Sequence, residues 1–204
     1  HTLRRMTDRD LFSLKLEQDV HPALRGKRYT SFTWETLQRL PEITWQSRGL
    51  SLLDGRLPMQ LQAGVGHYRE TYPKGQGLEG NKLLLKGGIT TNRFNLSSKA
   101  YVTYDGLVEL DGYRNLVSFQ DSETEEFASK SRETDQYRAV ITSRPRLVVR
   151  PIEPLTLDVS YKDQWVLGSS PFLFDELKNS ETLSGRLSLL TPTFGASLGT
   201  GYDF

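Results

Sequence analysis

Three histidines, His1, His21 and His67, are the side chains in this sequence best suited to proton transfer near neutral pH. A hydrolytic site would need one of them beside an activated nucleophile. His1 is terminal, His21 precedes Pro22 in a turn-like setting, and His67 stands beside Tyr68 where a strand is expected to end at a rim. The sequence contains no cysteine, which removes thiolate ligands, cysteine nucleophiles and disulfide frameworks together. Three scattered histidines cannot supply a local tetrahedral metal set. Gly75, Gln76, Gly77 and Gly80 imitate a phosphate loop, but the Lys-Ser/Thr ending and the strand-to-helix context are missing. We therefore expect no enzyme: no catalytic residue, cofactor or metal ligand is assigned.

The elements that carry these residues have a period of two. Phe12, Leu14 and Leu16 alternate with polar neighbours, and Leu57, Met59, Leu61, Ala63 and Val65 form the most regular run. The pattern returns at Leu96–Tyr104, at Tyr137, Ala139 and Ile141, at Leu155–Tyr161, at Leu183–Leu189 and at Phe194–Tyr202. Alternation of this kind places every second side chain on one face of a sheet. Asp54-Gly55, Asp105-Gly106 and Asp111-Gly112 are candidate hairpin turns. Tyr72–Asn81 and the charged Asp121–Asp135 are candidate long connections. The second is either a solvated loop or a weak contact for a divalent cation or partner.

With 204 residues, one all-β domain over 1–204 suffices. We expect about ten to twelve antiparallel strands, forming a transmembrane β-barrel or an arc of a larger one. A sequence that is only 36% hydrophobic is compatible with this, because barrel strands need apolar groups on the lipid face alone. A formal charge of +1 gives no basis for nucleic-acid binding. The start at His1, without an apolar leader, suggests a processed or partial chain.

Two features favour a bacterial outer membrane over water. The aromatic residues Tyr29, Phe32, Trp34, Trp45, Tyr68, Tyr72, Tyr101, Tyr104, Tyr161 and Trp165 fall largely near the ends of the runs, where interfacial girdles form. The C-terminal Ser197, Gly199, Tyr202 and Phe204 resemble the insertion signal of outer-membrane proteins.

The segment Tyr29–Phe32, then Leu37-Gln38-Arg39-Leu40-Pro41-Glu42-Ile43, then a strand from Leu57-Pro58 resembles the LptD, or organic-solvent-tolerance, family of lipopolysaccharide-assembly barrels. Arg39, Leu40, Pro41 and Glu42 carry that resemblance. It implies a translocon that receives lipopolysaccharide or a related glycolipid from a periplasmic β-jellyroll bridge and releases it sideways into the outer leaflet, with a lipoprotein plug as partner. The sequence is shorter than family barrels, shows no jellyroll and has none of the cysteines many members carry, so it is expected to be either part of such a protein or a shorter relative. A porin or small-solute channel and a soluble β-rich binding module are the alternatives. Pro41, Pro58, Pro145, Pro151 and Pro154 each remove a ladder donor, which suits strand starts and turns or a seam that opens.

Overall fold

The computed structural model describes residues 2–20, 36–53, 57–72, 76–120 and 129–204. Its strands are β1 (Thr2–Met6), β2 (Asp10–Val20), β3 (Thr36–Leu52), β4 (Leu57–Thr71), β5 (Gln76–Thr90), β6 (Phe94–Ser97), β7 (Ala100–Gln120), β8 (Ser129–Arg132), β9 (Gln136–Ile152), β10 (Leu155–Gly168), β11 (Ser180–Leu190) and β12 (Gly195–Asp203). They form one antiparallel sheet in the order β1-β2-β3-β4-β5-β7-β9-β10-β11-β12, with β6 and β8 both paired to β7. The sheet is open, with β1 and β12 at its two edges. No helix among the described residues is long and apolar enough to cross a membrane.

β6 runs alongside the start of β7, and β8 alongside its end, so each extends the row that β5 and β9 occupy. The result is an up-and-down meander. At one end of the sheet the reversals are short: Thr7–Arg9, Ser98-Lys99, Glu153-Pro154 and Thr191–Phe194. The longer connections 21–35, 121–128 and 169–179 join strand ends at the other, beside the short 72–75. Short turns on one rim and longer connections on the other are the habit of outer-membrane barrels.

Directly paired residues share a face of the sheet, and a shift of one residue along a strand changes the face. One transverse row runs Trp45, Ala63, Leu85, Leu110, Ala139, Leu167. Its neighbour on the opposite face runs Thr44, Gly64, Leu84, Asp111, Arg138, Gly168. The apolar row is the open one: Leu85 and Leu110 are each 48% exposed and Leu167 is 61% exposed, whereas Asp111 is 3% and Arg138 2% exposed. This inverts the arrangement of a water-soluble sheet, whose apolar face is covered. The apolar face continues through Leu157, Leu183, Leu187, Leu198 and Tyr202, all exposed. On β4 it ends at Val65, beyond which His67 and Arg69 take the same face. Leu57 to Val65 spans about 26 Å at roughly 3.3 Å per residue, close to the apolar band about 25 Å tall of such barrels.

Several local expectations give way. Asp105-Gly106 and Asp111-Gly112 are not hairpins: both lie inside β7, paired on either side with β5 and β9. The run Leu96–Tyr104 is instead broken by the Ser98-Lys99 reversal. Gln76–Asn81 belongs to β5, which leaves a much shorter connection than Tyr72–Asn81. Within Asp121–Asp135, Ser129–Arg132 forms β8, while 121–128 lies outside the described residues, as do Asp54-Gly55, Tyr29, Phe32 and Trp34. His67 lies within β4, not at its end. Pro41 sits at a register shift of β3, Pro58 at the second position of β4 and Pro154 in a turn. Pro145 is internal to β9, where the ladder to β10 skips from the Ser160–Arg146 pair to the Asp163–Ser143 pair.

Candidate functional site on the polar face

The buried core of the described residues lies on the polar face, beneath a strap formed by 169–179. Gly168 ends β10 with φ +80°, and a Cβ there would stand 2.2 Å from the Tyr137 carbonyl oxygen. Only glycine allows the chain to leave the strand in this way. The strap then folds over β4, β5 and β7 through a single 3-10 turn, Leu173–Asp175. Phe172 is fully buried, its ring centroid 6.1 Å from both Tyr68 and Tyr113. Phe174 stacks on Tyr68 at 5.3 Å and 25°. Tyr68 in turn lies over Gly66, where a Cβ would come within 2.9 Å of the ring.

Charges fix the strap in place. No side chain near Phe172 caps the 3-10 turn. Glu70, distant in sequence, does so instead: its carboxylate accepts the Leu173 and Phe174 amides at 2.8 and 3.0 Å and the Tyr72 hydroxyl at 3.1 Å. Burial, with the Glu70 carboxylate adjacent, pushes the Tyr72 hydroxyl well above the usual phenol range. At the end of the turn, the Asp175 carboxylate accepts from Lys82 Nζ at 2.5 Å and from the Tyr113 hydroxyl at 2.6 Å. The buried Arg138 guanidinium donates to Asp111, to the Asp175 carbonyl and carboxylate, and to Glu109. Lys82 also meets Asp111 at 3.2 Å and Lys86 meets Glu109 at 3.0 Å. Three cations (Lys82, Lys86, Arg138) therefore face three carboxylates (Glu109, Asp111, Asp175). That balance is what allows charges to be buried.

A second feature of the same face lies between β9 and β12. A groove of about 520 Å³ is lined by Arg144, Arg146, Arg186, Asp158, Ser160 and Ser184, with Gly199 and Gly201 of β12 on its far side. Arg146 forms a bidentate pair with Asp158. The Ser160 and Ser184 hydroxyls are 2.7 Å apart.

The residues singled out by sequence are dispersed. Arg39, Leu40, Pro41 and Glu42 span the shift of register between β3 and β4. There Arg39 Nη1 meets Glu17 at 3.0 Å and its Nε lies 4.0 Å from Glu42, while Leu40 is exposed. Ser197, Gly199 and Tyr202 lie on β12, paired with Ser188, Arg186 and Leu183. The Tyr202 and Phe204 rings meet edge to face at 4.8 Å, on the rim that carries the long connections. His67 Nδ1 is 2.9 Å from Asn81 Oδ1, so its partner is an amide. Tyr68 is a core residue, not a girdle one.

Sequence reasoning missed the strap, whose signal was faint: Phe172 and Phe174 in a short polar stretch. It also passed over Gly195-Ala196-Ser197-Leu198-Gly199, which fits the spelling of a nucleophile elbow. That pentapeptide is regular β12 strand paired along β11, without the strand-to-helix turn that exposes such a serine. Among the described residues no group of three His, Asp or Glu side chains could hold a metal ion. No family model, no curated protein and no solved structure matches the chain.

Proposed function

We propose that this chain is the wall of an outer-membrane β-barrel, its apolar face in lipid and its polar face lining a lumen through which a glycolipid passes to the outer leaflet. The observation that carries this reading is the inverted burial of the two faces: leucines open to the surroundings on one, an ion-paired core on the other. Large contiguous apolar surface needs a nonaqueous partner, and a hydrocarbon band is the partner whose height matches the run on β4. Two unpaired sheet edges fit a wall that requires further strands or a seam. The resemblance at Arg39–Glu42 supplies lipopolysaccharide as the amphiphile.

The test is reconstitution into bilayers with lipopolysaccharide present and a photo-crosslinker at Gly201 of β12, on the polar face. Glycolipid adducts at this edge support lateral transfer. Steady ion conductance without adducts identifies a solute channel, and a monodisperse chain without detergent identifies a soluble module.

A further inference from the structure

We propose that the groove between β9 and β12 is a phosphate-binding site for a phosphorylated sugar, which would make it the headgroup contact of the glycolipid in the function proposed above, the reading on which this ligand class rests. Two guanidinium groups of the groove, Arg144 and Arg186, stand outside any ion pair among the described residues and are coupled to Asp158 only at longer range. Beneath the strap every buried cation has a carboxylate within 3.2 Å. In the groove, Asp158 is engaged bidentately by Arg146, and neither Arg144 nor Arg186 forms an ion pair among the described residues. Asp105, cross-strand from Arg144, and Asp203, cross-strand from Thr182, are further carboxylates on this face nearby, and Lys162 of β10, in the row of Asp203, adds a further cation. Four cations (Arg144, Arg146, Lys162, Arg186) thus face three carboxylates (Asp105, Asp158, Asp203).

The geometry suits an anion with three acceptor oxygens. A guanidinium presents a planar fork that matches phosphate bidentately. Arg186 lies two strands from Arg144 and four residues further along the sheet, since it pairs with Asp158 and Asp158 with Val148, so their backbones are about 16 Å apart and the two long side chains line the groove from opposite ends. The Ser160 and Ser184 hydroxyls lie between them as donors and acceptors suited to a sugar ring. Gly199 and Gly201 place no side chain between the groove and the open edge of the sheet. A cavity of about 520 Å³ is within the range of small-molecule sites.

Calorimetric titration of the chain in nanodiscs of neutral phosphatidylcholine tests this with three probes: glucose 1-phosphate, glucose and inorganic phosphate. Glucose 1-phosphate should bind, and more tightly than either of the others. The R144Q/R186Q double variant should weaken it at least tenfold. The R144K/R186K variant, which keeps the charge and loses the fork, should fall between them, and Arg4→Gln in β1 should match the parent. Absence of binding, or equal affinity in R144Q/R186Q and the parent, overturns the site. Equal affinity for inorganic phosphate overturns its assignment to a sugar phosphate. Alkaline extraction of the chain from vesicles separates the two readings: a chain stripped from the bilayer that still binds glucose 1-phosphate refutes the membrane wall and leaves the groove standing, whereas a retained chain that does not bind refutes the groove alone.

Discussion

The polar face of this sheet exists in two conditions. Over β4, β5 and β7 it is sealed by the 169–179 strap, with Tyr113, Leu116, Phe172 and Glu70 at zero exposure. Toward β11 and β12 it is bare, and every residue of β12 is exposed. The strands have the same alternation in both regions, so alternation does not decide which condition holds. What differs is charge accounting: beneath the strap each cation is ion-paired, whereas in the bare region Arg146 is paired with Asp158 while Arg144 and Arg186 stand outside any ion pair among the described residues. A polar face whose charges are neutralised can be covered by its own chain. One that retains net charge remains available to something else.

The largest effect should come from breaking the sealed region at its centre. Arg138→Leu leaves Asp111, Asp175 and Glu109 without their shared cation, and loss of one partner from a buried ionic group costs about 3–5 kcal/mol. Urea unfolding from detergent micelles should show this loss, with cleavage by protease appearing within 169–179. A comparison across the sheet comes next. Leu85→Arg places a cation on the apolar face and should cost about 2–4 kcal/mol if that position is near the bilayer midplane, while Ser184→Arg on the polar face should cost less than about 1 kcal/mol. Equal costs measured by urea titration in vesicles would remove the distinction between the faces. Glu70→Gln should cost about 1–3 kcal/mol, because an amide cannot accept all three donors that the carboxylate satisfies. Hydrogen exchange at Leu173 and Phe174 should accelerate as the strap loosens. The smallest effect belongs to Arg146→Gln, whose side chain is 48% exposed, with a loss of about 1 kcal/mol or less by the same unfolding assay.

The sheet was legible from sequence because its period is local. Leu57 to Val65 alternate without interruption, and those side chains share the apolar face, on which Val65 is exposed and the others are half-buried. Turn signals were less reliable for a reason visible at Asp111-Gly112. A two-residue turn motif states only what the backbone permits. At this position β5 and β9 flank the strand, and Asp111 serves Lys82 and Arg138 instead of a reversal. Pro145 shows the same override: an internal proline persists where the ladder to β10 skips two pairs. The strap was not legible, since its contacts join Asp175 to Lys82 and Glu70 to Leu173 across long stretches of sequence with no periodic trace. The groove was invisible for a related reason: Arg144, Arg146 and Arg186 meet only once β9, β10 and β11 lie side by side.

The absence of cysteine makes the most direct measurement simple, since each introduced thiol is the only one present. Single substitutions to Cys at Thr182 through Ser188 along β11, in vesicles exposed to a membrane-impermeant maleimide, report which face meets water. Labelling should alternate, with Ser184, Arg186 and Ser188 reactive and Leu183, Gly185 and Leu187 protected. Uniform reactivity along the strand, or protection of the serine row in place of the leucine row, would contradict a sheet whose apolar face lies in hydrocarbon.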